Sequence, residues 1–171
     1  MSDFSVAYHL KTDQISDVVD LLSSLNIKGY VFQPTNGWVT FVTELDEFEP
    51  HDLISKNVSG TLLFLVRTND FLCWNFEVFL DSESHGRYAI QASDELHAEI
   101  VNTLSDRALS LLVAQSQIDD LTRILNPVFY NAALDKGDLD FAELVGLENI
   151  EWISYFQIDC NVDDYEVVSV Q

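Results

Sequence analysis

Cysteine, proline, glycine and positive charge are all scarce in this chain. Among 171 residues there are 2 Cys, 3 Pro and 6 Gly, and 8 Lys plus Arg stand against 29 Asp plus Glu. Two cysteines, Cys73 and Cys160, cannot build a disulfide framework, and both lie in apolar, aromatic stretches where they read as small buried thiols. The glycines at 29, 37, 60, 86, 137 and 146 are isolated, so neither a dinucleotide fingerprint nor a P-loop is present, and no Gly-x-Ser-x-Gly elbow occurs. The histidines, His9, His51, His85 and His97, show no i, i+4 pair and no neighbouring Cys, which argues against zinc. Asp159, Asn161 and Asp163 have the opening spacing of a calcium loop, but Asp164 and Val170 stand where glycine and a bidentate acid are needed. No catalytic residue, metal or cofactor is expected.

The shortage of cations excludes more. A formal charge of −21 meets phosphate with repulsion, so direct binding to nucleic acid or to an anionic membrane is not expected. The longest apolar run, 62–66, is strand-sized and far below the roughly 20 residues that span a bilayer. Met1 to Asp13 carries no basic segment followed by an apolar one, so no signal peptide is read there and a cytoplasmic location follows by elimination.

What is present is apolar patterning. The chain is 47% hydrophobic and 12% aromatic, enough for a sizeable core. Phe4, Val6, Tyr8 and Leu10 alternate with polar or small residues and predict a strand. Ile15, Val18, Val19, Leu22 and Leu25 follow at helical spacing, closed by Asn26 or Gly29. Asn36-Gly37 supplies the positive φ angles of a hairpin between strands at 30–32 and 38–43. Pro50 opens a short helix over 51–56. Strands follow at 61–67, 71–81 and 87–91, giving the order β-α-β-β-α-β-β-β for residues 1–91. From Ser93 the pattern turns helical: Leu96, Ile100 and Leu104 predict one helix, residues 105–126 one or two more, and residues 138–145 a last one stopped by Gly146. Trp152 to Ile158 alternates and predicts a late strand, and 167–170 reads as an edge strand or a frayed tail.

The expected fold is therefore α+β: one mainly antiparallel sheet covered by short helices from the second half. It forms a single domain over 1–171, strand-rich to 91, helix-rich over 92–150, with a strand and acidic tail over 151–171.

The acidity exceeds what solubility requires. Residues 1–91 hold 13 acids and 5 bases, and residues 92–171 hold 16 and 3. With no catalytic signature, the composition predicts a non-enzymatic acidic binding protein whose partner is a basic protein. The physical type is that of an immunity protein that neutralises a basic toxin, although no family motif is matched. No oligomeric state follows from it. The candidate contact residues form two stretches. One is the acidic loop Glu44, Asp46, Glu47, Phe48 and Glu49, an aromatic embedded among acids. The other is Asp70, Trp74 and Glu77, where an indole flanked by polar residues would face a partner. The alternative is a small-molecule or catalytic pocket between sheet and helices, lined by Trp38, Trp74 or Tyr88.

Overall fold

The computed structural model describes residues 4–45, 47–68, 73–92, 98–127, 130–151 and 153–171. Strands β1 (Phe4–Leu10), β2 (Gly29–Phe32), β3 (Val39–Thr43), β4 (Thr61–Thr68), β5 (Cys73–Leu80), β6 (Glu83–Ala92), β7 (Ala98–Asn102) and β8 (Val167–Val170) form one sheet. Helices α1 (Ile15–Leu25), α2 (Asp52–Ser55), α3 (Asp106–Leu112), α4 (Ile118–Leu125), α5 (Tyr130–Val145) and α6 (Tyr155–Cys160) lie around it. The sheet order is β7-β6-β5-β4-β1-β3-β2-β8, and every neighbouring pair is antiparallel. The fold is α+β, as the pattern predicts.

Local chemistry explains most of the boundaries. Asn36 and Gly37 take φ values of 52° and 81° between Thr35 and Trp38, which exchange both backbone hydrogen bonds. This is the mirror-image turn whose twist matches that of the flanking strands. Asn26 is left-handed at the end of α1, and Gly146 has φ 87° just past α5, where its N–H and that of Leu147 both donate to the Ala142 carbonyl.

Helices cover both sheet faces. Those of the second half pack where the composition places them: Ala108, Leu121, Phe141 and Ala142 meet Leu63, Leu65, Trp74 and Phe76 in one cluster. On the opposite face Val18 and Leu22 of α1 and Ile54 of α2 meet Val6, Tyr8, Phe41 and Phe64. Central strands β1, β3 and β4 are therefore buried on both sides, and β5 alternates between buried and half-buried positions. A third, smaller cluster joins Tyr30, Phe32 and Val42 to Ile153 and Ile158 beneath α6.

Two expectations change, and one alternative is settled. Residues 98–102 are strand, not helix, because Ile100 pairs with Ile90 of β6 and its apolar neighbour Val101 faces out; Leu96 lies outside the described residues. The stretch read as a strand over 152–158 becomes α6 from Tyr155, started by Ser154, whose hydroxyl accepts the Gln157 N–H at 3.3 Å. Residues 167–170 are an ordered edge strand on β2.

Candidate partner-binding groove

The site begins with a divergence of strands. β1 pairs with β3 from Tyr8 to Leu10, and with β4 along its whole length. Below Tyr8 the chain of β3 has left: Glu44 continues along β2, its N–H donating to the Lys28 carbonyl at 3.0 Å and its Oε1 accepting from the Lys28 N–H at 3.1 Å. The β1 edge exposed by this departure is taken over by Ile153. The Val6 N–H donates to the Ile153 carbonyl at 2.9 Å, and the Ile153 N–H donates to the Ser5 hydroxyl at 3.3 Å. Between the departing loop and the start of α6 a groove of about 290 Å³ remains.

Phe4 and Val6 line its β1 side, Glu44, Glu47 and Phe48 one wall, and Ser154, Tyr155 and Phe156 the other. Phe48 is 57% exposed and Phe156 66%, the two most exposed large apolar side chains among the described residues. The Phe48 ring stands edge-on to Phe4 at 5.8 Å, which steadies it without covering it. Glu47 is exposed and makes no ion pair or hydrogen bond among the described residues. Behind the Phe156 wall, α6 is tied to the sheet by the Tyr30 hydroxyl, which donates to Asp159 at 2.6 Å. That bond, then burial and the Asp159 charge, push the Tyr30 phenol up to about 12. The arrangement joins apolar, polarisable surface to carboxylates. It suits a group that is cationic at one end and flat or aliphatic along its stem.

The two stretches singled out in the sequence fare differently. Glu44, Glu47 and Phe48 all line the groove. Glu49 turns away, 3.6 Å from Arg87 of β6. Asp46 and Asp70 lie outside the described residues. Glu77 is half-buried on β5, opposite Arg87, and accepts from the Ser84 hydroxyl at 2.5 Å. Trp74 is a correction: it is 2% exposed, stacked among Phe76, Tyr88 and Phe141, and presents nothing to a partner. Its strand has one face in the core, and the indole is on that face while Asn75 and Glu77 are on the other. Trp38, Trp74 and Tyr88 fill the interface between sheet and helices and line neither the groove nor the cavities beside α1 and the end of α5.

Phe156 and Tyr155 escape a sequence reading that makes 152–158 a strand. The legible signal is Ser154-x-x-Gln157, a helix-start pattern. Two further cavities, of about 570 and 340 Å³, lie beside α1 and beside the end of α5. Neither has an aromatic wall, and the carboxylate of Asp17 in the first already accepts from the Thr12 hydroxyl at 2.6 Å. Among the described residues no group of three or more His, Cys, Asp or Glu could hold a metal ion, and no helix is long and apolar enough to cross a membrane. The chain matches no family model, no curated protein and no solved structure.

Proposed function

We propose that this protein is a non-enzymatic acidic binding protein that engages a basic protein partner, of the immunity type that neutralises a toxin, and that the groove between Phe48 and Phe156 is the centre of contact. The observation that carries this reading is the pairing of two largely exposed phenylalanines with Glu44 and Glu47 in a chain of net charge −21. Exposed aromatics anchor interfaces once water is excluded from them, and surrounding charge steers a partner of opposite sign. A cytoplasmic location fits the two free thiols, Cys73 and Cys160.

The test is capture of the partner at low and high salt, by wild type and by a Glu44→Gln/Glu47→Gln/Phe156→Ala variant. A basic protein retained by wild type, released as salt rises and absent from the variant supports the reading. Recovery of no basic protein, or equal retention by the variant, contradicts it.

A further inference from the structure

We propose that the groove seats one arginine side chain of the partner, its guanidinium over the Phe48 and Phe156 rings and forked onto the Glu47 carboxylate, with Glu44 adding charge from behind. This rests on the docking role argued above and names the chemistry that the groove reads.

The size of the groove is the first argument. At about 290 Å³ it lies at the bottom of the range for small-molecule sites, so it suits one side chain better than a cofactor. Its lining is the second. A purely apolar anchor would take Glu47 out of water with no compensating charge, and an anion would meet two carboxylates. A cation relieves both difficulties. Between the two cations, a lysine ammonium is a compact, strongly hydrated point charge. A guanidinium is planar, less hydrated, stacks on aromatic faces and offers a fork to a carboxylate. Two exposed phenyl rings beside an unengaged glutamate match the second description.

The cation has to come from another protein. A second copy of this chain would bring another −21 of charge. Of its eight basic side chains five are already engaged: Lys56 with Asp52, Arg67 with Asp138 and Glu151, Arg87 with Glu49, Arg123 with Asp120, and Lys11 with the Leu111 carbonyl. A basic partner brings arginines in excess and gains by approaching.

The experiment titrates the full chain, isotopically labelled, with N-acetyl-arginine methylamide, and follows the ring resonances of Phe48 and Phe156 by NMR. The lysine and citrulline methylamides serve as comparisons, the second keeping the shape of arginine without its charge. The expected result is a saturable shift of both rings with arginine, an affinity about threefold or more weaker for lysine, no saturable shift for citrulline, and loss of the arginine response in Glu47→Gln. Equal responses to arginine and lysine, or to arginine and citrulline, overturn the proposal, as does the absence of any shift at the two rings. If the amides fail while a basic protein is still captured by wild type and lost with Phe156→Ala, the arginine seat is wrong and the docking role stands. If both fail, the docking role falls with it.

Discussion

The backbone N–H of Val6 is bonded to the carbonyl of Ile153, 147 residues away in sequence, at the level where β3 has parted from β1. That contact helps to close the sheet edge which the strand divergence leaves open and, with the Tyr30–Asp159 bond, ties the α6 wall of the groove to the sheet. Its partner bond, from the Ile153 N–H to the Ser5 hydroxyl, is buried. Replacing Ser5 by Ala leaves that N–H without a partner and is expected to cost about 1 to 2 kcal/mol. Urea unfolding reads the cost directly. A midpoint unchanged from wild type would mean that the Ile153 segment does not depend on this anchor.

Arg67 on β4 is the cation that the helices of the second half are built over. Its guanidinium bonds Asp138 of α5 and reaches Glu151 at 3.2 Å, and the Arg67 and Asp138 side chains are only 12% and 10% exposed. Removing Asp138 leaves the buried guanidinium with only the half-exposed Glu151 as a carboxylate partner, so Asp138→Ala is expected to lose about 3 kcal/mol, the low end for breaking a buried pair. Replacing both, as Arg67→Met with Asp138→Leu, is expected to recover most of that loss, because the desolvation cost disappears with the charges. A double variant no more stable than Asp138→Ala would show that the pair is a net stabiliser in its own right.

His9 sits fully buried on β1 with Nδ1 bonded to the Thr40 hydroxyl at 2.9 Å and Nε2 without a partner among the described residues. Burial pushes its pKa down from 6.5 to about 3. The unfolded chain takes up this proton near pH 6.5 and the folded chain only near pH 3. Between those values the unfolded state binds more protons, so the contribution of His9 to stability falls as pH falls, by up to about 5 kcal/mol over the window. An NMR titration of the His9 ring is expected to show no midpoint above pH 4 while the chain stays folded. A midpoint near 6.5 would contradict the burial argument.

Gly137 lies inside α5 against the Trp74 ring. A Cβ there would sit 3.4 Å from Cζ2 and 3.5 Å from Nε1, ordinary contact with an indole whose N–H has no partner among the described residues. Glycine inside a helix costs about 1 kcal/mol relative to alanine. Gly137→Ala is therefore expected to stabilise the fold by about 0.5 to 1 kcal/mol, read as a raised unfolding midpoint. A lowered midpoint would show that α5 packs too tightly on Trp74 to accept one methyl group.

Much of this was legible in the residues, and what was not has physical causes. Asn36-Gly37, the helical spacing of Ile15 to Leu25 and the alternation of Trp74 to Leu80 are local signals, and each gives the element observed. The error at Trp74 concerns which face of a strand looks inward. Alternation marks two faces, and the helices that cover one of them come from residues 106–145. Ile100 and Val101 fit helix or strand until β6 is present to pair with them. The groove was half legible. Its acidic wall, Glu44 to Phe48, is contiguous and stands out in the sequence. Phe156 reaches it only because the Ile153 segment returns to β1.

In the proposed function, charge brings the partner in and the two phenyl rings hold it. The most direct measurement is the association and dissociation rate of the captured basic partner against salt, for wild type and for Phe48→Ala/Phe156→Ala. Steered association is expected to slow by about tenfold or more between low and high salt for both proteins. Loss of the rings is expected to speed dissociation by about tenfold or more while leaving association nearly unchanged. Rates indifferent to salt, together with equal dissociation from the two proteins, would contradict the proposed function.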